Sequence, residues 1–372
     1  MNSPIKKLPH ATGPINDYWD HIAEYEVDSS WRREVDSPAY RDYRRRFEAA
    51  QQRKHAGPFP ISIEIEATYF CNLKCPFCPR AVNSEERDIG HMSEQLWAKI
   101  LAECKENGLS AMLMDHEAES LMNPRIFDMI REAREAGIVD VWLHTNANQL
   151  TAARSEKLID AGLTKINFSI DATSAEVYDV LRVGGNFKRV LRNVQEFLAI
   201  KLTKGAHYLR TRVSFVEQRE NMRQRQAFYE FWKDTPGLNI VTYQECTDFT
   251  PFEKPDEEVG LSEMELEKKY AANESFHCSM PWEMPIIDTE GNVTPCGVPI
   301  RSHNKDFILG NLNSGDTIKS CWNGTKMAAL RELHEKGEWY KNHVCRVCVK
   351  TVRESRQQTE TLHTKIHVDK AE

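Results

Sequence analysis

Residues 61–78 read ISIEIEATYFCNLKCPFC. The segment ISIEIEAT alternates apolar and polar residues at period two, the pattern of a β-strand, and runs into a loop holding Cys71, Cys75 and Cys78. Three residues separate the first pair and two the second. Iron–sulfur clusters are held by Cys thiolates, and a [4Fe–4S] cube normally takes four. Three close thiols with no fourth beside them leave one iron open to another ligand. A zinc knuckle or a chance grouping is the competing reading, so the surrounding chain must decide.

Strand and helix patterns alternate onward from Ile61. SEQLWAKILAECKENG is an amphipathic helix ending at Gly108, and AMLMDH a short buried strand. PRIFDMIREAREAG carries Pro near its start and Gly at its end, as helix capping favours. VDVWLHTN, KINFSID, HYLRTRVSFVE and NIVTYQE read as further strands with helical stretches between them. Six consecutive βα units imply an α/β fold with parallel strands and right-handed crossovers. Residues 1–57 read as a charged, helical N-terminal extension bounded by Gly57-Pro58 and Pro60, and 58–245 as the βα domain. Residues 246–275 form a Pro- and acid-rich linker, 276–352 a small second domain opening on a strand, an EGN turn and a strand, and 353–372 a polar, frayed tail.

Composition narrows the partners. The 372-residue chain is 40% apolar and 9% aromatic, enough for a core, with mean hydropathy −0.59. Its net charge of −7 and pI near 6.1 give no reason to expect a nucleic-acid or anionic-membrane partner. No apolar run approaches the roughly 18 residues of a spanning helix, and the first thirty residues lack the apolar core of a signal peptide. A cytoplasmic protein is the expectation. There, ten cysteines read as metal or catalytic ligands before disulfides.

A second set, Cys278, Cys296, Cys345 and Cys348, lies beyond the βα units, with gaps of 17, 48 and 2 residues. Four thiolates suit an iron–sulfur cluster or zinc, although structural zinc sites usually draw on two close pairs and only one pair is close here. Cys104 and Cys321 read as small buried hydrophobes. Cys246 follows the sixth strand, at the end where parallel barrels build their sites, and is either a buried thiol or a hydrogen donor to a carbon radical.

The Cys71–Cys78 spacing resembles the signature of the radical S-adenosylmethionine (SAM) superfamily. DTEGNVTPCG, LGNLNSGDTIKSCWNGTKMAALRELH and CRVC resemble that family's SPASM or shorter Twitch extension. The resemblance implies a partial (β/α)6 TIM-like barrel with a small C-terminal α+β auxiliary-cluster domain. It implies SAM and two [4Fe–4S] clusters as cofactors, one at Cys71, Cys75 and Cys78, the other at Cys278, Cys296, Cys345 and Cys348. An electron donor such as flavodoxin or ferredoxin is the implied partner. Carried across position by position, Phe77 matches the aromatic whose backbone meets adenine. Glu119 matches the Glu of the family's Gly-Gly-Glu-Pro motif and its SAM amino-group contact, although Glu117, Ala118 and Ser120 replace the glycines and proline. Asn146 matches the Asn of Thr-Asn-Gly. Ser169 and Asp171 take the place of ribose contacts, and Arg212 and Ser214 are candidates for the SAM carboxylate or ribose. His116 and Glu117 are extra polar groups for a substrate.

The resemblance fixes the chemistry more closely than the substrate. Family members with an auxiliary cluster modify either peptides or small polyols. The 57-residue extension is shorter and more helical than a peptide-recognition domain, and the four-cysteine spacing resembles the Twitch of an aminocyclitol dehydrogenase. A small hydroxylated substrate is therefore expected, in natural-product biosynthesis. Oxidation to a ketone is placed ahead of epimerisation through Cys246, and modification of a ribosomally made peptide is the alternative.

Overall fold

The computed structural model of the chain describes residues 22–82, 90–253, 258, 260–270, 276, 278–297 and 307–368. The N-terminal part holds β1 (Ile22–Glu26), α1 (Trp31–Val35) and α2 (Pro38–Gln51). The alternating region follows with β2 (Ser62–Ile65), α3 (Pro79–Val82), α4 (Glu94–Asn107), β3 (Ala111–Leu113), α5 (Ile126–Glu135) and β4 (Asp140–Thr145). It continues with α6 (Ala152–Asp160), β5 (Lys165–Ser169), α7 (Ala175–Leu181), α8 (Phe187–Thr203), β6 (Arg210–Glu217), α9 (Arg225–Trp232) and β7 (Ile240–Glu245). The C-terminal part holds α10 (Glu263–Tyr270), α11 (Met280–Glu283), β8 (Ile286–Ile287), β9 (Asn292–Thr294), β10 (Gly310–Asn311), α12 (Ile318–Asn323), α13 (Thr325–Glu335) and α14 (His343–Val368).

The strands form one open sheet ordered β1-β7-β6-β5-β4-β3-β2-β8-β9-β10. The run from β2 to β7 is parallel throughout, giving the six-unit partial barrel. The face packed against the helices is apolar: Ile63, Met112, Val141, Leu143, Ile166, Phe168, Val213 and Phe215 all enter one core. Local chemistry agrees with the helix limits. The Ser93 hydroxyl accepts from Leu96 N at 3.1 Å at the start of α4, and Gly108 closes that helix at φ 66.

Three expectations change. The N-terminal extension is not wholly helical: Ile22–Glu26 pairs antiparallel with β7, because IAEYE alternates and fits an otherwise open sheet edge. The expected linker contains α10, whose Leu266 and Tyr270 pack with Phe276, Trp339 and Tyr340. The expected tail is helical over its described part, and residues 369–372 lie outside the described residues. Residues 353–368 continue α14, burying Ser355, Arg356, Thr359 and His363 along one face at helical spacing.

The second domain is joined to the barrel by the sheet itself. β8 pairs parallel with β2, and β8 and β9 form the expected hairpin around Gly291. Cys104 and Cys321 are both buried core thiols.

Candidate active site

β2 delivers the chain into the cysteine loop at the C-terminal end of the barrel. The loop is held from across the sheet by residues 182–186. Lys74 N donates to Val183 O at 2.8 Å. Two glycines allow this approach: a Cβ on Gly184, at φ 92, would lie 3.3 Å from Asn72 O, and one on Gly185 would lie 2.7 Å from the Tyr178 ring. Arg182 stands 3.8 Å from Cys75 Sγ and 5.1 Å from the centre of the Phe77 ring. Its Nε donates to Asp171 Oδ2 at 2.7 Å, and Asp171 Oδ1 accepts from Val216 N at 2.8 Å. The loop's thiols thus have a fixed cation beside them, suited to a negatively charged cluster.

Cys71, Cys75 and Cys78 line a cavity of about 270 Å³ together with Phe77, Glu119, Asn146, Ser169 and Cys246. Burial raises the Cys71 thiol to about 11, with the charges of Glu119, Cys75 and Cys78 adding to it. Burial likewise raises Cys246, to about 12, but there the contributing charges are Asp171, Asp248 and Glu220. Three thiols therefore form one group and Cys246 stands apart in the same wall. That donor set fits a cube with three protein ligands and one open iron.

Glu119 is fastened at both oxygens. Oε1 accepts from Thr145 Oγ1 at 2.8 Å and Leu121 N at 3.2 Å, and Oε2 accepts from Asn146 N at 2.7 Å. Burial nevertheless raises it to about 7. Glu119 N donates to Phe70 O at 3.0 Å, which ties the carboxylate to the cysteine loop. The residues replacing the family's glycines impose no left-handed backbone: among the described non-Gly residues only Arg53, Ala147 and Asp171 have positive φ.

Asp171, Arg212 and Ser214 do not line the cavity. Asp171 clamps Arg182. Arg212 pairs with Glu24 at 2.8 Å, and Ser214 accepts from Asn167 Nδ2 at 3.3 Å. The sequence reading passed over Arg182, although RVGG after a helix was a signal for a close backbone approach. It also passed over the pair Asp115–His144. Asp115 Oδ2 accepts from His144 Nδ1 at 2.9 Å, while Arg212 Nη2 lies 3.3 Å from His144 Nε2. Burial raises Asp115 above its ordinary value against that hydrogen bond. A second chain adjoins it: His116 Nδ1 meets Glu64 Oε1 at 2.5 Å and its Nε2 lies 3.6 Å from Glu117.

The second cysteine set converges. Cys278 precedes α11, Cys296 follows β9, and Cys345 and Cys348 occupy the first turns of α14. Cys345 and Cys348 pack into two neighbouring apolar clusters, one shared with Cys278 and the other with Cys296. Burial raises the Cys345 thiol well above its ordinary value, and the charges of Cys296 and Cys348 add to this. Four thiols match the ligand count of a [4Fe–4S] cluster. Among the described residues no group of three or more His, Cys, Asp or Glu is placed to hold a single metal ion.

Comparison with known proteins identifies two domains. Residues 65–229 match the model of the Radical SAM superfamily, and residues 278–349 match SPASM, an iron–sulfur cluster-binding domain. A probable GTP 3',8-cyclase of Methanocaldococcus jannaschii is 26% identical over 69% of this chain and 91% of its own. The mycofactocin maturase MftC of Mycobacterium tuberculosis is 25% identical over 74% of this chain and 73% of its own. Among solved structures, anSMEcpe with bound AdoMet superposes with a TM-score of 0.55 at 16% identity, covering 83% of this chain and 98% of its own. BtrN in complex with AdoMet and 2-DOIA gives 0.50 at 18% identity, covering 76% and 90%. Among the described residues no helix is long and apolar enough to cross a membrane. The chain belongs to the radical SAM superfamily and carries a C-terminal SPASM iron–sulfur domain, so SAM and [4Fe–4S] clusters are its cofactors.

Proposed function

We propose that this radical SAM enzyme abstracts hydrogen from a carbinol carbon of a small hydroxylated molecule of sugar or aminocyclitol type; loss of the hydroxyl proton and of a second electron, which the auxiliary cluster would take, gives a ketone, whereas return of a hydrogen atom from Cys246 would give an inverted centre. When bound, SAM and the open-iron cluster at Cys71, Cys75 and Cys78 supply a 5'-deoxyadenosyl radical that removes the hydrogen. Glu119 and Asn146 would receive SAM from the ends of the neighbouring strands, with Phe77 and Ser169 on the same wall.

One observation carries the substrate class. The cavity wall beside the thiols is built from mutually fixed polar groups: buried Asp115 with half-buried His144, and His116, beside Glu117 and held from behind by Glu64. Such a wall orients hydroxyl groups and offers little to an apolar side chain.

A second reading, modification of a ribosomally made peptide, is favoured by the match to the maturase MftC over 74% of the chain. An electron-transfer protein of the flavodoxin or ferredoxin class would supply the electron under either reading. Two sets of reduced cysteines require a reducing compartment, and on that ground we place the enzyme in the cytoplasm.

The test is to incubate the reduced, cluster-loaded enzyme with SAM and sugars or aminocyclitols deuterated at each carbinol carbon. Deuterium entering 5'-deoxyadenosine from one of them supports the proposal. Transfer from a peptide and from no polyol replaces it with the second reading.

A further inference from the structure

His334 lies at the end of α13 and is 2% exposed. Its ring is engaged at both nitrogens by residues of the second cysteine set. The Cys278 backbone N–H donates to Nδ1 at 3.5 Å, and Cys345 Sγ lies 3.5 Å from Nε2. The His334 carbonyl accepts from Arg53 Nη1 at 3.0 Å, which fixes this turn against the N-terminal helices.

A peptide N–H can only donate, so Nδ1 holds a lone pair. In a neutral imidazole the proton then sits on Nε2 and points at the Cys345 sulfur. Cys278 and Cys345 lie 67 positions apart, and one side chain touches both.

We propose that His334 is a positioning residue of the auxiliary centre: its Nε2–H hydrogen-bonds the Cys345 sulfur and raises the reduction potential of the cluster held there. A reduced cluster carries one more negative charge than an oxidised one. A donor aimed at a ligand sulfur therefore stabilises the reduced form more, and hydrogen bonds to sulfur are among the factors that set cluster potentials. The proposal rests on the auxiliary set holding a [4Fe–4S] cluster.

The experiment uses the full chain with Cys71, Cys75 and Cys78 replaced by Ala, so that only the auxiliary centre gives an EPR signal. Its midpoint potential is measured beside those of His334→Leu and His334→Gln in the same background. The Leu variant is expected at a more negative potential with unchanged iron. The Gln variant, whose side-chain N–H reaches close to the position of Nε2, is expected to recover most of the shift. Equal potentials in all three overturn the proposal. If the Leu variant loses its iron, the parent labelled with ¹⁵N-histidine decides. A weak ¹⁵N coupling to the reduced cluster that disappears in the Gln variant supports a hydrogen bond. No coupling, or the strong coupling of a nitrogen bound to iron, overturns it. A parent without iron fails earlier, by removing the auxiliary cluster itself.

Discussion

Glu217 and Glu245 are register partners at the C-terminal ends of β6 and β7, and each is only 4% exposed. Two carboxylates side by side in a buried sheet repel, and the surrounding chain compensates. Arg225 pairs with Glu217 from α9. α14 supplies the rest: Arg356 pairs with Glu245, and His363 Nε2 lies 3.5 Å from Glu217 Oε2. The helix that begins with two auxiliary cysteines therefore reaches the ends of β6 and β7 through Arg356 and His363. This explains why so polar a segment is ordered.

Compensation is unequal, and pH exposes it. Hydrogen bonding by His363 and the Arg225 charge hold Glu217 below its ordinary value despite burial. Burial, with the charges of Glu217 and Glu360, raises Glu245 to about 7 against the pull of Arg356. A carboxyl whose folded value is raised contributes stability that is complete below its unfolded value, 4.5, and lost as pH rises through about 7. On this group alone the loss is roughly 3 kcal/mol, at about 1.36 kcal/mol per pH unit. Glu217 has the opposite sign, so the comparison must isolate Glu245. Denaturant midpoints of the wild type and Glu245→Gln at equal cluster loading should converge or cross as pH rises from 5 to 8, the variant gaining throughout. A constant gap would remove the assignment.

Much of this was legible before folding, and the boundary is physical. The cysteine loop and six parallel strands announce themselves through local spacing and period. Cys71, Cys75, Cys78, Glu119, Asn146 and Cys246 then meet because strand ends meet. What local pattern does not carry is pairing across the chain. Asp171 sits at a strand end, as ribose contacts do, yet turns to Arg182, eleven residues on. Arg212 faces β1, and the strand character of β1 depends on an edge created more than 200 residues later. In α14, Ser355, Arg356, Thr359 and His363 do repeat at helical spacing, but a polar stripe looks solvated until its partners are known.

Metal content tests the two cysteine sets together. Anaerobically reconstituted protein should hold about eight irons, on the stoichiometry of two cubes. Replacing Cys71, Cys75 and Cys78 by Ala should leave about four and abolish reductive SAM cleavage. Full iron with continued cleavage in that variant would falsify the assignment of the open-iron site.

The auxiliary set should behave as part of the fold. Cys278 and Cys348 flank the cluster of Phe276, Trp339 and Tyr340, so ligand bonds there tie the second domain together. Cys278→Ala or Cys348→Ala should lose iron and yield less soluble protein. SAM cleavage without substrate should persist, because the Cys71–Cys78 loop is anchored separately through Val183 and Arg182. Elemental analysis finding zinc in place of the second iron complement would turn this centre into a structural zinc site.

Cys246 separates oxidation from inversion. Its thiol, raised to about 12 by burial and by Asp171, Asp248 and Glu220, stays protonated at every working pH. That is the form a hydrogen-atom donor needs. The side chain also lines the cavity that holds the cluster thiols, within reach of a substrate bound there. An epimerase must return hydrogen to the substrate radical from the face opposite the abstraction, and a thiol S–H exchanges with solvent. The product of an epimerase formed in deuterated water should therefore carry deuterium at the attacked carbon. Cys246→Ala should still form 5'-deoxyadenosine, stop after about one turnover and give no inverted product, because nothing completes the thiyl–thiol cycle. Iron content and SAM cleavage without substrate should match the wild type, which separates this effect from damage to the fold. A ketone produced at equal rates by both proteins, with no solvent label at carbon, would assign oxidation and leave Cys246 a buried thiol.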